Sequence, residues 1–391
     1  MSMKRLVVLI CLVLILCAAL YARPIPEVTA TSLNPQPIKT KAISLPWPAV
    51  GQAAFGATGY GLLASHGANT PVPIASVAKV ITALAVLQKK PVAAGGQGPI
   101  ITLTQSDVDL FNKYYLSDGS VAQVQVGEQI TEYQALEAML LPSANNLADT
   151  LANWAFGSAD NYVAYANNMV KSMDLAQTTV GDATGFNDTT FSTADDMVKL
   201  GLATMNNPAI AAIAKEPSAT LPVAGVVNNI NWLLGQDGVV GIKTGNTDKA
   251  GGCYLVAAQR QILGHQITVV SAILGDPDLS DAIHQADSII KAGDAGFQQI
   301  KPIQKDQAVG SYQAPWNASS QIKSAKQLSL VAWKGQPVNV TSMPSPVQAP
   351  ASTGFSTGTI TATAGQQSAT GPTVLASNLP GPSWRWRIFH R

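Results

Sequence analysis

A serine and a lysine three residues apart, Ser76 and Lys79, form a candidate nucleophile and base. They lie in the segment 73–87, which starts with a proline, is rich in Ala, Leu and Val, and is predicted to be helical. On a helix, residues i and i+3 are surface neighbours, so the Ser76 hydroxyl and the Lys79 amine can point at the same place. Apolar neighbours would desolvate the lysine, lower its pKa, and let the neutral amine accept the serine proton.

The spacing of Ser76 and Lys79 is a weak signal by itself, because Ser-x-x-Lys also occurs by chance. Another match in this chain, Ser320-x-x-Lys323, lies in a polar segment without a helical pattern of apolar residues. The interpretation of the first pair therefore depends on the motifs that accompany it.

Ser143 and Asn145 are predicted to lie on a tight turn between two helices. The first helix covers residues 131–141, with Thr131 as its N-cap, and a proline ends it. The second helix covers about residues 147–156. A turn of this kind lets both the side chains and the backbone of Ser143 and Asn145 face a cleft.

Lys243-Thr244-Gly245 ends a predicted strand that starts near Gly238. Two further strands, residues 250–259 and 267–274, follow it and are joined by a hairpin. Helices precede and follow these strands, so the fold class is α/β of the α+β kind, an antiparallel sheet flanked by helices.

Composition excludes several classes of function. Only 12% of the 391 residues are charged and the net charge is +1, which argues against a nucleic-acid partner. Cys253 is the single cysteine outside the N-terminal apolar segment, and it is predicted to be a small buried hydrophobe. The four histidines are scattered and no Cys/His cluster has metal-ligand spacing, so we expect no metal and no cofactor.

The N-terminus carries the signature of an exported protein. Lys4 and Arg5 precede Leu6–Leu20, fifteen residues without a charge. The sequence leaves two alternatives open, a cleaved signal peptide and a retained anchor. In either case the body of the protein is expected outside the cytoplasm, associated with the cell wall or the membrane.

Taken together, Ser76-x-x-Lys79, Ser143-x-Asn145 and Lys243-Thr244-Gly245 resemble the serine penicillin-binding proteins and β-lactamases. Further residues narrow the resemblance to the D-alanyl-D-alanine carboxypeptidases of low molecular mass. They are Asp237-Gly238 before the third motif, Ala250-Gly251 after it, Pro73-Ile74-Ala75 before Ser76, and Gly185-Phe186 followed by Ser192-Thr193-Ala194-Asp195.

The resemblance implies acyl transfer from a peptidoglycan stem peptide that ends in D-Ala-D-Ala, with β-lactams as covalent inhibitors. Ser76 would be the nucleophile and Lys79 its base. Ser143 would relay the proton to the departing D-alanine, and Lys243 would hold the local charge.

The same resemblance assigns the substrate-binding residues. Asn145 would hydrogen-bond the substrate amide, and Thr244, next to Gly245, would hold the terminal carboxylate. The backbone N–H groups of Ser76 and Asn246 would form the oxyanion hole.

Two features depart from the family pattern. The family often has an arginine after the strand that follows Lys-Thr-Gly, to bind the terminal carboxylate, but here that region is the acidic Gly275-Asp276-Pro277-Asp278. Arg260 is the nearest substitute, and it is alternatively a hairpin charge. Asn246 stands where a histidine is common, although only its backbone is needed.

The resemblance also organises the rest of the chain. Residues 1–22 are a signal peptide or anchor, 23–48 a linker, and 49–298 the catalytic domain. Residues 299–380 are read as a small β-domain, with a disordered tail as the competing interpretation. Residues 381–391 form a Trp/Arg tail that suits a membrane surface, or is simply a mobile basic terminus.

Four alternatives compete with a carboxypeptidase. A DD-endopeptidase on crosslinked peptidoglycan uses the same residues. A β-lactamase of the well-known type needs a glutamate between the second and third motifs, where only Glu216 occurs. A Ser-His-Asp hydrolase would need a Gly-x-Ser-x-Gly turn around its nucleophile, which is not found around either candidate serine, Ser76 or Ser143. A non-enzymatic wall-binding protein leaves the three ordered motifs unexplained.

Overall fold

The structure is a computed structural model that describes residues 3–390, and the chain divides into two compact units. Ile43–Phe297 forms the first unit. The described residues before Ile43 form the second unit together with those after Phe297. Each unit contains its own cluster of buried apolar side chains.

Helices and strands are numbered in chain order. The α-helices of residues 3–390 are α1 (Met3–Tyr21), α2 (Ala78–Lys89), α3 (Gln105–Leu116), α4 (Glu132–Leu140), α5 (Asn145–Phe156), α6 (Ala159–Ser172), α7 (Ala194–Met205), α8 (Pro208–Ile213), α9 (Leu279–Asp294) and α10 (Trp384–Phe389). The strands are β1 (Ala30–Ser32), β2 (Gln52–Ala57), β3 (Gly61–His66), β4 (Val72–Pro73), β5 (Ile100–Thr102), β6 (Gln129–Thr131), β7 (Phe191–Ser192), β8 (Ser218–Leu221), β9 (Gly225–Asn228), β10 (Val239–Thr247), β11 (Gly251–Ile262), β12 (His265–Asp276), β13 (Phe297–Ile303), β14 (Ala308–Gln313), β15 (Ser319–Ser324), β16 (Leu328–Trp333), β17 (Asn339–Pro344), β18 (Ser356–Ala364) and β19 (Gln367–Leu375).

An antiparallel sheet with the strand order β10-β11-β12-β2-β3 forms the centre of the first unit. Helices cover both of its faces, because the ring of Phe55 packs on Gly293 of α9 while the next residue, Gly56, lies against Val198 of α7. Successive residues of a strand point to opposite faces. The predicted α+β class is confirmed, and β10 lies at the edge of the sheet.

The helix that precedes the second motif begins and ends as its local sequence predicts. Thr131 caps α4 and accepts a hydrogen bond from Gln134 N, and the Gln134 side chain accepts one from Thr131 N. Helix α4 stops at Leu140, just before Pro142. Helix α2, packed among the other helices, is buried along Ala78–Leu87.

A sheet with the strand order β1-β14-β15-β19-β18-β17 forms the second unit. The predicted β-domain is therefore present. The expectation of a plain linker over residues 23–48 is wrong for its first half: β1 pairs with β14, and the buried Val28 pairs with Val347. The sequence did not predict this strand, because its partners lie about 280 residues further along the chain.

Candidate active site

Ser76 lies on a single 3-10 turn, Ala75–Val77, immediately before α2. The sequence predicted one helix starting after Pro73, but Pro73 belongs to β4 and the α-helix begins only at Ala78. The reason is local: Ala75 has φ 46°, a left-handed conformation that an α-helix does not contain. The turn leaves Ser76 partly exposed and holds its hydroxyl within hydrogen-bond distance of Lys79, in the first turn of α2.

Lys79, the second residue of α2, is completely buried and its Nζ has three polar neighbours. They are Ser76 Oγ at 2.9 Å, Asn145 Oδ1 at 2.6 Å and the Thr184 carbonyl oxygen at 2.9 Å. The amide oxygen and the carbonyl can only accept, so they take the two N–H groups of a neutral amine. The remaining lone pair then faces the Ser76 hydroxyl, which can donate to it.

The surroundings of Lys79 favour that neutral amine. Burial lowers its pKa well below the ordinary lysine value, and the ammonium group of Lys243 lowers it further. The carboxylates of Asp182 and Asp149 act in the opposite direction. Burial is the largest of these effects, so the amine can act as a base.

The Gly181–Asp188 turn supplies one acceptor for Lys79, a contact that the sequence did not predict. Asp182 Oδ1 accepts hydrogen bonds from Thr184 N at 2.7 Å and from Gly185 N at 2.6 Å, which orients the Thr184 carbonyl toward the lysine. Gly185, with φ 70°, lies directly on the Ala75 carbonyl oxygen, where a Cβ atom would collide with it. The polar turn Gly181–Asp188 was visible in the sequence, but a carbonyl ligand has no residue-type signature.

The turn between α4 and α5 carries Ser143 and Asn145. Ser143 is buried and has φ 69°, and Asn145 is already the first residue of α5, not a turn residue as predicted. The Asn145 backbone N–H donates to the Ser120 carbonyl at 2.8 Å, which fixes this end of α5. Asn145 therefore faces Lys79 from a rigid helix end.

Strand β10 forms the opposite wall of the cleft. A Cβ atom on Gly245 would lie 2.9 Å from Ser76 N, so the strand packs directly on the 3-10 turn. Lys243 is buried, donates to the Thr244 carbonyl at 3.1 Å, and burial lowers its pKa to about 7. Thr244 Oγ1 is buried and has no hydrogen-bond partner within the described part of the chain, while Asn246 is exposed.

Arg260 does not lie in this cleft. Its Nε donates to Asp294 Oδ2 at 2.7 Å, and it stands seven residues along β11 from Cys253, the partner of Gly245. At the rise of a β-strand this is about 23 Å. Arg260 is therefore a charge near the hairpin. The acidic turn keeps its own hydrogen bond, from Asp278 N to the buried Asp276 Oδ1 at 3.1 Å.

Cys253 provides no reactive thiol in this cleft. Cys253 is fully buried and burial raises the pKa of its thiol to about 12, which leaves it protonated. Among residues 3–390, no three His, Cys, Asp or Glu side chains lie together as metal ligands.

Comparison with known proteins gives one family. The model of the D-alanyl-D-alanine carboxypeptidases matches residues 56–278. The D-alanyl-D-alanine carboxypeptidase DacA of Escherichia coli K12 is 26% identical over 246 residues, which are 62% of this chain and 60% of that protein. DacB2 of Mycobacterium tuberculosis H37Rv is 30% identical over 206 residues, 51% of this chain and 66% of that carboxypeptidase. The chain thus spans less than two thirds of the length of these curated relatives.

A solved structure shares the fold. That of penicillin binding protein 5 from Haemophilus influenzae matches with a TM-score of 0.62 at 18% sequence identity. The match covers 87% of this chain and 100% of that one.

Proposed function

Because the chain belongs to the D-alanyl-D-alanine carboxypeptidase family, we propose that it is a serine-type carboxypeptidase that removes the terminal D-alanine from peptidoglycan pentapeptides. The observation that carries the proposal is the 2.9 Å separation between Ser76 Oγ and the buried Lys79 Nζ. A neutral amine at that distance can take the serine proton as the hydroxyl attacks.

The reaction proceeds in two steps. Ser76 Oγ bonds to the carbonyl carbon of the penultimate D-alanine while its proton passes to Lys79 Nζ. The C–N bond then breaks, and the departing D-alanine amine takes a proton relayed through Ser143. In the second step water hydrolyses the Ser76 ester and restores the free hydroxyl.

Charge and hydrogen bonds hold the substrate during these steps. The oxyanion is bound by the backbone N–H groups of Ser76 and Asn246, which lie on the two walls joined at Gly245. Asn145 binds the substrate amide. Thr244 Oγ1 has no hydrogen-bond partner among residues 3–390, so it can donate to the terminal carboxylate, next to the positive Lys243.

A DD-endopeptidase is the second candidate, favoured by the region after β12. The arginine that would bind a free terminal carboxylate is replaced by the acidic turn 275–278, and Arg260 is engaged with Asp294. A substrate whose leaving group bears no carboxylate at that point would lose less binding affinity from the replacement of this arginine.

A β-lactamase of the glutamate-dependent kind is disfavoured by the position of Glu216. Its Oε1 accepts a hydrogen bond from Tyr133 at 2.8 Å, and burial, with a smaller contribution from Glu216, raises the pKa of Glu137 to about 8. Tyr133 and Glu137 both lie on α4, so Glu216 interacts with groups other than those of the Ser76 cleft.

The protein acts outside the cytoplasm, associated with the membrane or the cell wall. Helix α1 spans 19 residues, and an 18-residue window of it has a mean hydropathy of 2.6 and no buried part. The helix is about 28 Å long, which matches the hydrocarbon core of a bilayer. Its basic residues Lys4 and Arg5 lie at the cytoplasmic end.

The C-terminal helix α10 is suited to the membrane–water interface on the extracytoplasmic side. Arg387 Nη2 donates to the Arg23 carbonyl at 2.9 Å, and its guanidinium lies 4.2 Å from the ring centre of Tyr21, at the end of α1. Trp384 and Phe389 remain exposed. Aromatic and basic residues at the exit of an apolar helix are typical of this boundary.

Covalent labelling by a fluorescent penicillin tests the proposed chemistry. We expect label on Ser76, none on the Ser76→Ala variant, and full label on the matched control Ser320→Ala. Folded protein that takes no label would overturn the acyl-enzyme mechanism. Release of free D-alanine from a pentapeptide ending in D-Ala-D-Ala then tests the carboxypeptidase activity, and label without such release would favour the second candidate.

A further inference from the structure

A carboxylate without a cationic partner lies beside Thr247, the last residue of β10. It belongs to Asp188, in the Gly181–Asp188 turn, which is half-buried and whose Oδ1 accepts a hydrogen bond from Thr247 Oγ1 at 2.5 Å. Among residues 3–390, no lysine, arginine or histidine forms an ion pair with Asp188. Its negative charge can therefore attract a cation that enters the cleft.

Thr247 holds this carboxylate in place. Its hydroxyl donates to Asp188 and accepts a hydrogen bond from Ala250 N at 3.1 Å, so it joins the loop to the turn between β10 and β11. The backbone of Asp188 is left-handed, with φ 53°, a conformation that aspartate and asparagine adopt more readily than most residues. Asp248 and Lys249, in the same turn, are exposed and have opposite charges. Asp188 therefore gives this end of the strand its net negative charge.

The direction of the substrate along β10 follows from the proposed function. Thr244 binds the terminal carboxylate and the backbone N–H of Asn246 binds the oxyanion, so the acyl part of the substrate extends from Asn246 toward Thr247. Strand β10 is at the edge of its sheet, where an extended peptide can pair with it. Lys243 lies four residues before Thr247, about 13 Å along the strand. The cleft thus has a positive charge on the leaving side and the negative Asp188 on the acyl side.

A peptide with the matching polarity has its carboxylate at the C-terminus and a cation on the acyl side. In an extended peptide, the third residue from the C-terminus lies about 7 Å from the last one. This residue is therefore level with Asn246 when the terminal carboxylate is bound at Thr244. A side chain with a four-carbon stem and a terminal ammonium group is long enough to reach from there to the Asp188 carboxylate.

We propose that Asp188 is a specificity-determining residue that binds a cationic side chain on the residue preceding the penultimate D-alanine. The inference rests on the proposed function and adds to it the chemical class of the acyl-side residue. Asp188 is only half-buried, so the ion pair should raise kcat/KM about fivefold. A side chain whose amine is blocked as an amide has no charge and loses this contribution.

Two pentapeptides that differ in one charge test the proposal. Full-length protein is given peptides ending in D-Ala-D-Ala with lysine or Nε-acetyllysine third from the C-terminus, and release of D-alanine is measured. We expect kcat/KM to be about fivefold higher for the lysine peptide. In Asp188→Asn the two values should become equal, because asparagine keeps the left-handed backbone and an acceptor for Thr247 but has no charge. The matched control, Asp160→Asn in the first turn of α6, should keep the preference.

Penicillin acylation separates a change in specificity from a loss of structure. Benzylpenicillin has no cationic side chain, so its acylation rate should change less than about twofold in Asp188→Asn. Asp188→Lys reverses the charge and should favour a peptide with glutamate at the same position. Equal kcat/KM for the lysine and acetyllysine peptides in the unmodified protein, or a lysine preference that persists in Asp188→Asn, would overturn the role of Asp188. Absence of D-alanine release from both peptides would instead overturn the proposed function.

Discussion

The same Ser-x-x-Lys spacing occurs at the start of a buried helix, with Ser76 and Lys79, and on a strand, with Ser320 and Lys323. In the first, Ser76 and Lys79 meet at 2.9 Å. In the second, Ser320 Oγ donates to the Ser377 carbonyl at 2.8 Å, and Lys323 Nζ forms an ion pair with Asp306 at 2.7 Å.

Local geometry and solvation explain the difference between the two pairs. Residues i and i+3 of a strand point to opposite faces, so Ser320 and Lys323 on β15 cannot approach each other. Lys323 is also partly exposed and has a carboxylate partner, whereas Lys79 is buried and its hydrogen-bond acceptors are neutral. A serine and a lysine become a nucleophile and a base only where the backbone geometry brings their side chains together and water is excluded from the lysine.

Substitution of Lys79 and of Lys323 gives the largest expected difference in acylation rate between the two motifs. Lys79→Ala removes the proposed base, and we expect the rate of penicillin acylation to fall about 10²- to 10⁴-fold. Lys323→Ala, the matched change in the strand motif, should leave the rate unchanged. Stopped-flow acylation of both variants checks this, and an undiminished rate in Lys79→Ala would show that another group is the base.

The loop that supports the helix motif is tested by a pair of glycines. Gly185→Ala places a Cβ atom on the Ala75 carbonyl, so we expect it to lower the free energy of unfolding by about 2–5 kcal/mol and to slow acylation. Gly127 has a similar φ of 83° but open space around it, and Gly127→Ala should cost only about 1–2 kcal/mol. Denaturant unfolding of both variants separates the steric clash of the new Cβ atom from the cost of the left-handed backbone. An equal loss of unfolding free energy in the two variants would show that the clash at Gly185 is unimportant.

The sequence predicted the parts of the molecule that local signals determine. Thr131 and the proline after α4 defined the turn of the second motif, and Lys243 followed from a short strand pattern. Tertiary contacts decided the rest. The left-handed Ala75 depends on a close approach by Gly185, and the Thr184 ligand is a backbone atom that any residue type could supply.

The two lysines of the cleft predict a bell-shaped pH dependence for acylation. Protonation of Lys79 at low pH removes the base, so kcat/KM falls as pH drops. Lys243 has a pKa of about 7, so above this pH its positive charge is lost and kcat/KM falls again. Lys243→Arg keeps its charge and should remove the alkaline fall. A pH profile of acylation by both proteins measures this, and an alkaline limb that persists in Lys243→Arg would assign it to another group.

The two serines give the smallest expected effect on stability, and they reverse the roles of the two motifs. Ser320 is buried, donates to the Ser377 carbonyl at 2.8 Å and accepts from Ser377 N at 3.2 Å, so Ser320→Ala should destabilise its β-domain by about 1–2 kcal/mol. Acylation should not change. Ser76→Ala should abolish acylation and leave the stability unchanged. Among the side chains described, Ser76 is hydrogen-bonded to Lys79 alone, so its loss leaves the core intact. Thermal unfolding with penicillin labelling tests both, and a Ser76→Ala variant as unstable as Ser320→Ala would give Ser76 a structural role as well.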